Sequence, residues 1–342
     1  MNRRQSPNKK QSRRRFLGVV AGGLTVGGGA SWYYNGPHES GMRATAFVAR
    51  AASYSADLTT PIRDGLRELG IGAGQFRDRT VLLKPNLVEP SRESAHINTH
   101  PYLVRAAAEV LLGLGAKRII VGEGAGHVQD ALFVIEESGL GEVLREDRIP
   151  YVDFNVDDLH WTPSQGRVTM LEQLAFPRTL FAVDVVVSMP KLKTHHWMGA
   201  TLSMKNLFGL MPGSIYGWPK NVLHQEGIAG SVVDICATAP VHLAIADGIV
   251  GMEGDGPIMG TPKNLGVIVV GANLPAVDAT CARIMGLEPS RIAYLSLASG
   301  WQGPIREEHI EQRGEAPAEL RQDFELIEKI PAHRGLRLEQ VS

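Results

Sequence analysis

Cysteine is nearly absent: Cys236 and Cys281 are the only two in 342 residues, and no CxxC pair occurs. A cysteine-ligated iron–sulfur cluster and a disulfide-built scaffold are thereby excluded, leaving two core residues or at most one bridge. Low-complexity bias is also missing. Gly (38) and Pro (20) together make about 17% of the chain, below the range of linker or collagen-like sequence. With 44% hydrophobic and 21% charged residues, the chain can bury a full core in one large domain or two modest lobes.

A strong net charge is lacking too, but the formal value of −1 hides an asymmetry. The first 30 residues carry seven basic and no acidic side chains, leaving 28 basic against 36 acidic residues beyond Ala30. So acidic a body argues against a nucleic-acid partner. No apolar run reaches the roughly 20 residues that a membrane span needs. The longest, Gly18 to Ala30, is rich in glycine and follows Ser12-Arg13-Arg14-Arg15-Phe16-Leu17. This segment resembles a twin-arginine signal. The resemblance implies folding before export, passage through the twin-arginine translocation machinery, and residence in the periplasm or cell envelope. Cleavage after Ala30 and an uncleaved membrane tether both fit the residues. The expected division is a signal at 1–30, a linker at 31–43, an α/β domain at 44–300 and a peripheral tail at 301–342, read as a helix with an extended end.

Runs rich in Val and Ile alternate with helical patterns. Thr80–Leu83, Arg118–Val121, Asp184–Val187, His242–Ala246 and Leu265–Val270 read as buried strands. Tyr102–Leu114 and Leu274–Met285 read as helices that stop at Gly115 and Gly286. Residues 153–180 read as an irregular insertion with a hairpin. The alternation predicts an α/β fold with a mostly parallel sheet and helices on both faces. Ligands of such sheets bind beyond the carboxyl ends of the strands. The distinctive polar residues follow strands: Lys84-Pro85-Asn86, Gly122–His127, Pro190–His195 and Asp247-Gly248.

Between Val185 and Gln225 there is no Asp or Glu, yet Lys191, Lys193, Lys205 and Lys220 stand there, half of the eight lysines beyond Ala30. His195, His196 and His224 share the window. Ammonium groups and imidazoles without counter-ions form an anion site for phosphate or carboxylate; the alternative is a basic face on lipid headgroups or a partner. Lys84, Asn86, Lys191, Lys193, Thr194, Asn206, Gly124 and Gly126 are the expected ligand-binding residues, and His195, His224 and Lys205 the expected catalytic ones. His195 is favoured over the adjacent His196 to face the site, with a pKa lowered by the lysines.

Asp247, Glu253 and Asp255 lie among glycines in a segment read as a loop, and would hold a divalent metal through oxygen ligands. The alternative is a solvated turn. GEGAGH at 122–127 lacks dinucleotide-motif spacing but would cradle an anion on helix N-terminal amides, with Glu123 and His127 as further catalytic or metal-ligating candidates. Pro101 disfavours a zinc pair of His96 and His100 on one helix. Asp278, in an otherwise apolar helix, is positioned to orient a site group.

Several stretches resemble the DUF362 family: KPNLV (84–88), the segment 100–126, SMPKLKTHHWMGATLSMKNLFGLMPG (188–213), His224, the segment 245–262 and the segment 274–289. The resemblance spans residues 44–300. Some members carry a cysteine-rich ferredoxin-like part, which this chain lacks. A fainter resemblance links Lys205, Met211-Pro212-Gly213 and His224 to the lactate-racemase family, in which a lysine and a histidine handle a nickel-pincer cofactor. The combined expectation is an exported enzyme performing proton-transfer or isomerase-type chemistry on a small anion; the alternative is a non-catalytic envelope protein binding an anion or a membrane surface.

Overall fold

The computed structural model describes residues 41–126 and 130–339. The twin-arginine segment, most of the 31–43 linker and His127 lie outside the described residues. The chain runs through β1 (Ala44–Arg50), α1 (Thr59–Glu68), β2 (Thr80–Pro85), α2 (Pro101–Gly113), β3 (Arg118–Glu123), α3 (Ala131–Glu137), α4 (Leu140–Glu146) and β4 (Tyr151–Asp153). A hairpin of β5 (Leu159–Pro163) and β6 (Gln173–Pro177) follows, then β7 (Val185–Met189), β8 (Lys191–His195), β9 (Gly199–Thr201), α5 (Ser203–Asn206), α6 (Asn221–Gln225) and α7 (Ile228–Thr238). The chain closes with β10 (Leu243–Glu253), β11 (Thr261–Gly271), α8 (Leu274–Ile284), α9 (Ala293–Ala298) and β12 (Ile310–Gly314).

One sheet dominates, in the order β12-β1-β11-β10-β7-β2-β3-β4, with β8 paired to β10 and β9 paired to β8. β10, β7, β2, β3 and β4 run parallel in sequence across its centre, while β11 pairs antiparallel with both β1 and β10. Alternation along the strands feeds two apolar layers. Val81 and Leu83 of β2 belong to the layer that includes residues of α1, α2, α3 and α4; Leu82 belongs to the layer on the other face with residues of α7, α8 and α9. The expected α/β architecture with helices on both faces is present.

Local signals explain the helix ends. His100 caps α2 by accepting from the Tyr102 N–H, Pro101 occupies its first turn, and Gly115 leaves it at φ +94°. Asn273 caps α8 by accepting from the Ala276 N–H, and Gly286 follows at φ +71°.

Two segments differ from the sequence reading. Residues 247–253, read as a loop, continue strand β10, because a register shift between Gly248 and Val250 lets the strand keep its partner β11 as far as Glu253. Beyond residue 301 no α-helix occurs among the described residues; Ile310–Gly314 instead forms the edge strand β12, parallel to β1.

Candidate functional site

At the carboxyl ends of β2 and β3, against β8, β9, α5 and α6, lies a cavity of about 540 Å³. Lys84, Lys193, Lys205 and Lys220 line it together with His195, His196 and His224. The rule that ligands sit beyond strand carboxyl ends places it where the sequence pattern pointed.

Each lysine meets different surroundings. Lys84 ends β2 fully buried, its Nζ 2.5 Å from Glu123 Oε2 of the neighbouring strand and donating to Asn206 Oδ1 at 3.2 Å. Burial lowers its pKa, and Glu123 opposes that shift. Lys193, also fully buried, donates only to backbone carbonyls, Ile97 O at 2.9 Å and Pro257 O at 3.2 Å. Among the described residues it has no carboxylate partner. Burial, then the charges of Lys191 and Lys205, hold its pKa well below the usual lysine value. Lys205, on α5, has its Nζ 4.0 Å from the centroid of the Phe208 ring and no carboxylate partner among the described residues. Burial and the charge of Lys84 push it down to about 8. Lys220 adopts φ +71° and donates to Asn155 Oδ1 at 2.7 Å; burial brings it down to about 8 as well.

His195 is buried and its Nδ1 accepts the Trp197 N–H at 3.1 Å, which assigns the proton of the neutral ring to Nε2. Burial and then Lys205 hold its pKa well below the ordinary histidine value. His224, on α6, is lowered by burial and Lys205. The expectation that one of His195 and His196 turns away is not met. β8 ends at His195, and the turn that follows lets His196 line the cavity as well.

The other expected ligand-binding residues divide into two groups. Asn86, Gly124, Gly126 and Asn206 line the cavity with the lysines. Asn86 Oδ1 is buried without a partner among the described residues, as is Thr201 Oγ1, and both residues line the cavity. Asn206 is a brace, donating to Lys84 O and Ser188 Oγ. The Gly124 N–H is spent internally on Gly209 O and Glu123 Oε1. Lys191 and Thr194 are absent from the lining: Lys191 Nζ pairs with Asp247 Oδ2 at 2.7 Å and bonds Tyr54 Oη at 2.8 Å, and Thr194 Oγ1 donates to Gly254 O at 2.8 Å. Lys191 and Lys193 are two apart on one strand, as the sequence implied, but only Lys193 reaches the cavity.

The three expected metal ligands have separate partners. Asp247 is shut in with Lys191 and Tyr54, Glu253 pairs with Lys263 and accepts the Glu325 N–H, and Asp255 lies 3.5 Å from His196. Among the described residues no three His, Cys, Asp or Glu side chains gather as a metal site. Cys236 and Cys281 are free thiols whose pKa burial raises.

Two supports were only partly legible. Asp278 accepts from the Ser203 and Met204 N–H groups and from Ser203 Oγ, so it holds the start of the short helix that carries Lys205 and Asn206. Gly209 packs its backbone against the Lys84–Glu123 pair, and a Cβ there would collide with the Glu123 carboxylate. The apolar wall of Trp197, Phe208, Ile258 and Met259 was missed by sequence reasoning; its one signal was Trp197 directly after the two histidines.

An α/β domain with a lysine-lined cavity beyond its parallel strands defines the class of protein. Residues 81–283 match the family described as Domain of unknown function (DUF362), and the chain belongs to that family. It is 32% identical over 265 residues to a thylakoid-associated protein of Synechocystis sp., covering 75% of this chain and 78% of that relative. A crystal structure of a Thermotoga maritima protein aligns at a TM-score of 0.37 and 14% identity, over 66% of this chain. This chain spans 59% of that structure.

Proposed function

We propose that this protein is an exported enzyme that binds a small phosphate- or carboxylate-bearing substrate in the basic cavity and moves a proton on it. The observation that carries the reading is Lys193, a fully buried amine with carbonyl partners only. A buried ammonium is costly without a counter-charge, which is why burial lowers the Lys193 pKa, and an entering anion would favour its charged form. Lys220 would contact the same anion, and the orphaned Asn86 Oδ1, an acceptor, would take a hydrogen bond from a hydroxyl or N–H of the substrate. Lys205 is the favoured proton-transfer group: its pKa near 8 leaves a fraction of neutral amine at neutral pH, and among the described residues no carboxylate forms an ion pair with it, Glu123 acting only at longer range. His224, coupled to Lys205, is the second proton carrier. The twin-arginine pattern supports export, and the naming of the relative as thylakoid-associated supports a place at a membrane or in the envelope.

Two measurements test the reading. Inorganic phosphate and acetate are titrated against the folded protein, with a rise in thermal midpoint expected for one or both. A panel of 2-hydroxy and 2-oxo carboxylates is then incubated in D2O and followed by NMR for loss of carbon-bound protium. Binding without exchange anywhere in the panel would favour the non-catalytic envelope-binding alternative. Absence of anion binding would remove the anion site itself.

A further inference from the structure

We infer that the ligand of this cavity is amphiphilic, an anionic group joined to an apolar body of at least ring size, with the anion inside and the apolar body at the mouth. The inference rests on the anion-site reading above and narrows it to a substrate class. Depth separates the two chemistries. The Lys193 and Lys220 amines are both nine-tenths or more buried, as is Asn86 with its unpaired acceptor Oδ1, whereas Trp197 is 55% and Met259 is 78% exposed. Between them runs a path of rings. The Lys205 amine faces Phe208, whose ring lies 5.7 Å from that of His224, and His224 lies 5.2 Å from Trp197.

A volume of about 540 Å³ falls in the size range of sites for molecules larger than a bare phosphate or acetate. An exposed tryptophan and methionine at the rim of a polar cavity would bury apolar area only when a ligand's own apolar portion covers them. Lys84 and Glu123 offset each other, and Lys193, Lys205 and Lys220 outnumber Glu89 and Asp255 on the lining, which favours an anionic head group over a cationic one. The ring wall therefore serves contact with an uncharged flat or branched hydrocarbon portion of an anion.

Isothermal titration with inorganic phosphate, 1-naphthyl phosphate and neutral 1-naphthol tests this. The expectation is that 1-naphthyl phosphate binds about tenfold or more tighter than inorganic phosphate, since burying one ring contributes at least that factor, and that 1-naphthol binds weakly. Trp197→Ala and Met259→Ser, both at exposed positions whose truncation spares the core, are expected to shrink the naphthyl advantage. Equal affinities for the two phosphates, or an advantage untouched by both variants, would overturn the inference while leaving the anion site standing. Failure of both phosphates to bind, or 1-naphthol binding as tightly as its phosphate, would overturn the anion site and the inference together. Competition by anionic phosphatidylglycerol vesicles identifies the source: displacement of 1-naphthyl phosphate points to a lipid headgroup, persistence to a soluble molecule, and both keep the amphiphilic class.

Discussion

Lys84 and Glu123 face each other across adjacent parallel strands, Nζ to Oε2 at 2.5 Å, both sealed from solvent. The pair stands on one wall of the cavity and fixes Asn206 beside it. Removing one member strands the other as a buried charge, which costs about 3–5 kcal/mol. Glu123→Gln is therefore expected to lower stability by several kcal/mol, whereas Lys84→Met with Glu123→Leu is expected to recover most of the loss. Urea unfolding of the two variants checks it; equal losses in the single and double variants would show that the pair is not what holds this wall.

Gly209 is expected to tolerate no side chain. Its backbone presses on the same ion pair, so Gly209→Ala must displace the Glu123 carboxylate or the turn. The expected outcome is about 1–3 kcal/mol of lost stability together with weaker phosphate binding. Unchanged phosphate titration in the alanine variant would count against a link between the pair and the cavity.

The pH dependence of stability follows from Lys205 and Lys220. Both titrate near 8 in the folded protein against an ordinary 10.5. Between those values the unfolded chain holds more protons, so their contribution makes the protein more stable as pH rises from about 8 towards about 10.5. Below about 8 their penalty is fully present. A bound anion is expected to raise both values and so weaken the trend. Urea midpoints at pH 7.5 and 9.5, with and without phosphate, are expected to show the ligand's stabilisation shrinking at the higher pH; a ligand effect that grows with pH would contradict the lysine assignment.

Asp278 is expected to act as a positioning residue rather than a catalytic one. Buried, with a pKa pushed up to about 7 by that burial, it accepts three hydrogen bonds from Ser203 and Met204 at the start of α5. Asp278→Asn turns a donor toward these donors and is expected to cost about 1–3 kcal/mol. Because α5 carries Lys205, the amine's own titration is expected to move, read by the pH dependence of selective lysine acetylation followed by mass spectrometry. A stability loss with no change in Lys205 titration would leave Asp278 a purely structural cap.

Export is tested at the other end of the chain. Arg13→Lys with Arg14→Lys is expected to retain the protein in the cytoplasmic fraction, while the same change at Arg3 and Arg4 leaves export intact. Fractionation with an antibody to the mature domain checks both.

Strand and helix positions were legible because buried parallel strands read as unbroken runs such as Thr80–Leu83, and helix stops are written in single glycines such as Gly115 and Gly286. The acid-free stretch marked a concentration of lysines and histidines, since that shows in composition alone. Tertiary structure decided which of these lysines line the cavity. Lys191 and Lys193 are equivalent by spacing, but β10 brings Asp247 to the first and only backbone carbonyls surround the second. It also decided that Asp247–Glu253 is strand, through pairing with a partner, β11, that lies further along the chain. The ring path from Phe208 to Trp197 joins residues on separate segments, and no local pattern encodes a contact that only the folded sheet creates.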